Sequence, residues 1–220
     1  PQYVGGVAAH VAFVHSEQTG STVIDAATLQ RNAELLIHRS VPEDLGDIAV
    51  SQGLMVMCGE AAYQGYGCAL MEHEVADFLL KALLRTPGEG GGQAGCWEAH
   101  FLNFQLLPEQ REAVIGSVLA PVCGISGGAG TGKTTILRAV LGCYQELASE
   151  LPAYQVAVAG RAAQRMAEST GKPAQTIAKL IAEYMGEGKP ELPEHLLLII
   201  DEASMLDLLS MYRLIRLLPH

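Results

Sequence analysis

The stretch GISGGAGTGKTT, residues 124–135, decides how the second half of this chain folds. Gly127-Gly128-Ala129-Gly130-Thr131-Gly132-Lys133-Thr134 fits the pattern G-x-x-x-x-G-K-[ST]. Glycines let a backbone wrap an anion with its N–H groups turned inward, and a helix behind the loop adds the positive end of its dipole. The pattern predicts a short apolar strand over 121–126, the loop, and a long helix over 133–150. Gly128, Ala129, Gly130, Thr131, Gly132, Lys133, Thr134 and Thr135 would surround the phosphates of a nucleotide such as ATP. Lys133 would reach the β and γ phosphates, and Thr134 would offer its hydroxyl to Mg²⁺. A merely glycine-rich turn is the plainer alternative, and the strand-loop-helix setting argues against it.

Moving outward, Leu196-Leu197-Leu198-Ile199-Ile200-Asp201-Glu202 predicts a fully apolar strand with acids at its carboxyl end. Open parallel sheets bind ligands at that end. Asp201 would complete the Mg²⁺ shell, and Glu202 would orient and deprotonate an attacking water. The alternative is that both acids cap a following helix. An Asp-Glu pair beside a phosphate loop argues for nucleotide hydrolysis over transfer to a small acceptor. Upstream, Gln110 precedes Gly127 by seventeen residues, and its amide offers the donor and acceptor that suit an adenine edge. Between the two nucleotide motifs, a strand ending in Gly160-Arg161 presents N–H groups and a cation to a phosphodiester backbone. A surface glutamine and a solvated basic helix face are the plain alternatives.

The run PGEGGGQAG (87–95) cannot pack a core and reads as a linker. This gives a front domain over 1–86, a Gly-rich linker over 87–98 and a second domain over 99–220. After the linker, helices over 109–119, 161–168, 177–185 and 205–218 alternate with strands over 155–159 and 196–200. This is the α/β pattern of a parallel sheet flanked by helices. Before it, helices over 8–15 and 26–38 and a third opening near Pro42 lead to strands over 54–58 and 66–71 and a helix over 72–85. Helices followed by a hairpin suggest a small winged-helix-like module; a small helical packing domain is the alternative.

Composition excludes several classes. Just under half of the 220 residues are apolar, as in ordinary globular chains. The longest aliphatic run, Leu196 to Ile200, is far below the ~20 residues that span a bilayer, so no membrane partner is expected. Cys58, Cys68, Cys96, Cys123 and Cys143 form no Cys-x-x-Cys pair, which favours a reducing cytoplasm over a metal or disulfide framework. The net charge of −10 divides into −8 over residues 1–100 and −2 over 101–220. No polybasic segment announces sequence-independent nucleic-acid binding, although a local strip in the second half stays open.

LLPEQREAV, GGAGTGKTT, GRAAQRMAESTGKPAQTIAKLI and IIDEASMLDLLSMYRLIRLLP occur in this order and spacing. Together they resemble the Q motif and motifs I, Ia and II of RecD-like superfamily 1 DNA helicases, the family of the exodeoxyribonuclease V alpha subunit. The resemblance covers residues 101–220, and residues 1–86 more loosely resemble the accessory region in front of such motors. It implies a RecA-like motor that hydrolyses ATP while moving 5′ to 3′ along single-stranded DNA, alone or with other subunits of a helicase-nuclease complex. By position, Gln110 would read adenine, Lys133, Thr134, Asp201 and Glu202 would form the catalytic and Mg²⁺ site, and Gly160-Arg161 would lie near DNA. Ala159 and Ala178 depart from the hydroxyl residue and histidine that family members often carry there. The family continues past Leu217–His220 into motif III and a second RecA-like domain, so a front fragment is expected, one that hydrolyses ATP poorly and does not unwind DNA. A conjugative relaxase motor is the nearest alternative, but His10 and His15 form no relaxase histidine cluster. A nucleotide-gated binding module without unwinding is the alternative from another class.

Overall fold

A computed structural model describes residues 2–84, 106–128, 130–147 and 150–219. The chain divides into two compact units, Pro1–Val75 and Ala76–His220, each described here by itself. The expected linker over 87–98 lies outside the described residues, as does Cys96.

The front unit runs α1 (Gln2–Thr19), β1 (Val23–Asp25), α2 (Ala26–Ile37), α3 (Leu45–Ser51), β2 (Met55–Met57) and β3 (Ala62–Gly65), and then enters α4 (Tyr66–Leu84). The antiparallel sheet has the order β1-β3-β2, with Ile24 opposite Tyr63 and Met55 opposite Gly65. In this unit β2 and β3 form an antiparallel hairpin that follows the three helices. Period-3.6 spacing puts Ala8, Val11 and Ala12 of α1 and Leu29 and Ala33 of α2 on inward faces. They meet Leu45, Ala49, Ile24, Met55 and Tyr63 in one core. The Tyr63 hydroxyl donates to Asp47 Oδ1 at 2.8 Å, and that bond pushes the phenol pKa up. Its ring lies over Gly46, where any Cβ would run into ring carbons. Asp25 starts α2 by accepting the Thr28 N–H at 2.8 Å, and His38 ends it in the left-handed region.

Two expectations fail in this unit. The second hairpin strand is Ala62–Gly65, not 66–71; from Tyr66 the chain is helical. The run YGCALM holds no β-branched residue, while Ala, Leu and Met are strong helix formers, so the apolar run joins α4. The third helix begins at Leu45, three residues after Pro42, whose carbonyl accepts the Leu45 N–H at 3.2 Å. The strand β1 was not foreseen.

The second unit contains α5 (Pro108–Leu119), α6 (Lys133–Leu147), β4 (Ala153–Ala157), α7 (Gly160–Thr170), β5 (Ala174–Thr176), α8 (Ile177–Tyr184), β6 (Leu197–Asp201), a 3₁₀ turn (Ala203–Met205) and α9 (Leu208–Ile215). The sheet is parallel in the order β5-β4-β6 and pairs Ala157 with Asp201. Alternation sends Tyr154, Val156, Leu198 and Ile200 to one face, where they meet Ile177 and Leu180 of α8 and Leu214 of α9. Ile199 on the other face meets Leu137 and Leu141 of α6 and Met166 of α7. Helices therefore cover both faces, the α/β class expected.

The expected strand over 121–126 is absent: no strand is assigned between α5 and α6 among the described residues. Pro121 cannot donate to a ladder, and Gly124 and Ser126 favour turns over strands. Ile125 still packs against the α5–α6 core of Val114, Ile136 and Val140. The helix expected over 205–218 is split into the 3₁₀ turn and α9. Asp207 forces the break by capping α9, accepting from the Ser210 N–H at 2.9 Å and hydroxyl at 2.7 Å.

Candidate nucleotide-binding site

The loop before α6 owes its path to two glycines in the left-handed region, Gly130 (φ 77°) and Gly132 (φ 85°), where L side chains are strained. Gly127 has a second constraint, since a Cβ there would meet Thr131 Oγ1 at 2.7 Å. That hydroxyl donates to the Gly128 carbonyl at 2.9 Å and tightens the loop. Lys133 is the first residue of α6, and its Nζ lies over the loop, donating to the carbonyls of Gly127 (2.7 Å) and Gly128 (2.8 Å). The lysine is thus held at the mouth of the loop, at a helix N-terminus whose dipole favours an anion. Ala129 lies outside the described residues. Thr134 is exposed and Thr135 half-buried in the first turn of α6.

Gln110 belongs to the same hydrogen-bonded set. It is the third residue of α5, whose N-cap is Leu107 with Pro108 next. Its Oε1 accepts the Leu107 N–H at 3.1 Å, and its Nε2 donates to the Thr131 carbonyl at 3.0 Å. The amide packs so closely on the loop that a Cβ on Gly132 would stand 2.5 Å from Nε2. The sequence singles out Gln110 only as a candidate base reader. It gives no sign of the two backbone groups, Leu107 N–H and Thr131 C=O, that hold it, because a backbone contact leaves no trace in residue type.

At the end of β6, Asp201 is half-buried and Glu202 exposed. Asp201 Oδ1 accepts the Glu202 N–H at 2.9 Å, while Oδ2 accepts nothing among the described residues. Glu202 stands at the N-cap position of the turn that follows, but its side chain accepts no hydrogen bond from that turn. Glu202 sits at φ 53°, ψ 38°, a left-handed conformation that costs a non-glycine residue about 1–2 kcal/mol. His38 shares that region but has an ordinary reason, ending a helix. Glu202 ends no helix, and strain of this kind concentrates where a side chain must be aimed. Gly160 and Arg161 open α7 next to this edge of the sheet, three residues beyond Ala157, and both are exposed. The Arg161 side chain makes no hydrogen bond or ion pair among the described residues. No hydrogen bond joins the Gln110–Lys133 set to the Asp201–Glu202 pair among the described residues.

These residues fit a magnesium nucleotide. The glycine-shaped loop and Lys133 suit a phosphate, and the Thr134 hydroxyl with the free Asp201 oxygen are the hard donors Mg²⁺ prefers. Among the described residues there is no group of three or more His, Cys, Asp or Glu that could hold a metal by itself. No helix among them is long and apolar enough to cross a membrane.

The AAA domain family matches residues 110–220, from the glutamine that grips the loop to the end of the chain. The chain belongs to that family. It is also similar to the ATP-dependent RecD2 DNA helicase of Deinococcus radiodurans, 27% identical over 228 aligned residues. The alignment takes in 99% of this chain and 31% of that helicase, so the chain spans about a third of its relative's length. The RecD-like resemblance of the motifs therefore rests on both matches.

Proposed function

We propose that this chain is the front part of an ATP-dependent DNA helicase motor that moves 5′ to 3′ along single-stranded DNA in recombination or repair. The observation that carries the reading is Lys133, held at the head of α6 over a loop bent by Gly130 and Gly132. Lys133 would exchange the two carbonyls for the β and γ phosphates of ATP and offset their charge. Thr134 and Asp201 would hold Mg²⁺, which when bound neutralises charge developing on the phosphates. Glu202 would orient the attacking water and take its proton, and its fixed backbone aims the carboxylate. Gln110 would read the adenine edge, and Gly160-Arg161 would contact the DNA backbone.

In this reading residues 1–86 form an accessory module, 87–98 a linker and 99–220 the motor's first domain. The partners are single-stranded DNA and, in some settings, subunits of a helicase-nuclease complex, in the cytoplasm. The test is unwinding of duplexes with a 5′ or a 3′ single-stranded overhang by the full-length protein containing this chain, beside Lys133→Ala. Unwinding only from the 5′ overhang, lost in the variant, is the expected result; unwinding from the 3′ overhang refutes the polarity. The 220-residue chain alone is expected to hydrolyse ATP poorly and to unwind nothing.

A further inference from the structure

A carboxamide has four hydrogen-bonding positions: two lone pairs on oxygen and two N–H bonds on nitrogen. In Gln110 one of each is in use, with Oε1 facing the Leu107 N–H and Nε2 facing the Thr131 carbonyl. One lone pair and one N–H remain. An adenine edge offers an N7 acceptor and an N6 donor, which a glutamine amide meets as a bidentate pair. A guanine edge offers two acceptors, N7 and O6, so it is satisfied only if the amide turns its NH₂ end toward both.

The two backbone partners oppose that turn. A half-rotation of the amide would set NH₂ against the Leu107 N–H and the oxygen against the Thr131 carbonyl, two like-with-like contacts. A partial rotation would leave both backbone groups without their partner. Nε2 sits beside Gly132, in the space a Cβ there would fill.

We propose that the Leu107 N–H and the Thr131 carbonyl are specificity determinants: they lock the Gln110 amide in one orientation, and the lock makes the site prefer adenine to guanine nucleotides. This rests on the reading of Gln110 as the base reader and adds what fixes its donor-acceptor order. The lock also ties the base reader to the phosphate loop, because one of its two bolts is a loop carbonyl.

Leu107→Pro removes the locking N–H and suits the backbone of position 107 itself. Leu107 already has φ −64°, which proline requires, its side chain is exposed, and its carbonyl remains free to accept from Arg111. The experiment is competition of ATP and GTP, with Mg²⁺, against a fluorescent N-methylanthraniloyl-ADP probe on the 220-residue chain. Wild type is expected to prefer ATP at least tenfold. In Leu107→Pro that preference should shrink at least fivefold, mainly through tighter GTP binding. A merely structural role would weaken both nucleotides alike and leave the ratio unchanged. An unchanged ratio in the variant overturns the lock and leaves Gln110 as the reader. A wild type without preference, or one that binds neither nucleotide, overturns the adenine reading and the lock together. Should Leu107→Pro fail to fold, hydrogen exchange of the Gln110 side-chain amide in wild type decides. A locked amide exchanges slowly, and one that exchanges as fast as an exposed glutamine overturns the proposal.

Discussion

The two units put glycine to opposite uses. In the front unit Gly46 makes room for the Tyr63 ring inside a single continuous core. In the second unit Gly130 and Gly132 shape an exposed loop, and burial is divided among smaller clusters around the sheet and α5–α6. The first arrangement concentrates free energy in packing, so substitutions there act on folding. The second leaves its candidate nucleotide-site residues half-buried or exposed, so substitutions there are expected to act on the ligand.

The sharpest way to break this contrast is to cut each unit at its own centre. Leu29→Ala removes a side chain that is only 1% exposed and opens a cavity among Ala8, Ala33 and Leu45. A loss of about 3 kcal/mol is expected from such truncations, read by urea unfolding, with nucleotide affinity of the folded protein unchanged. Lys133→Ala should do the reverse. Turnover in the proposed full-length helicase is expected to fall about 100-fold, near 2.7 kcal/mol of barrier, with the unfolding midpoint unmoved. If Leu29→Ala weakened nucleotide binding in the folded state, or Lys133→Ala shifted the midpoint, the division of roles would not hold.

Which parts of this architecture were legible beforehand follows from the range of the interactions involved. The helix α6 and the apolar strand into Asp201 are local patterns of spacing and residue type, and both stand where expected, whereas the strand expected ahead of the glycine loop is absent. The three-residue strands β1 and β5 are not local objects; they exist through pairing with β3 and β4, which no short window of sequence contains. YGCALM joins a helix because a short apolar run fits strand and helix alike until its neighbours decide, whereas in 121–126 Pro121, Gly124 and Ser126 work against a strand. The grip on Gln110 was invisible for another reason: both partners are backbone groups.

A smaller comparison lies in His38 and Glu202, the two non-glycine residues with left-handed backbones among the described residues, one in each unit. His38→Gly should relieve about 1 kcal/mol of strain, partly offset by the greater freedom glycine gives the unfolded chain. A net gain of about 0.5 kcal/mol, with no functional consequence, is expected. Glu202→Gly should give a similar gain and abolish turnover, since the same position carries the carboxylate proposed to activate water. Equal stability effects with opposite functional effects would show that Glu202 is strained for its chemistry. A loss of stability in Glu202→Gly would mean that its side chain holds the turn.

The smallest expected effect concerns the two aspartate helix caps, Asp25 on α2 and Asp207 on α9. Hydrogen bonds lower both carboxyl pKa values below 3.8, from the Thr28 backbone at Asp25 and from the Ser210 side chain at Asp207. A depressed folded pKa means that the ionised form is favoured by folding. Each charge therefore stabilises its unit above pH ~4 and loses that contribution as pH falls through the folded value. Caps of this kind contribute about 1 kcal/mol, and the charge supplies only part of it at exposed positions. Asn keeps the cap but cannot titrate. Asp25→Asn should flatten the acid side of the stability profile for the front unit, and Asp207→Asn should do so for the second, read by separate probes of unfolding. An effect of Asp25→Asn that appeared equally in both units would show that they unfold as one cooperative body, and the contrast between them would then apply to function but not to stability.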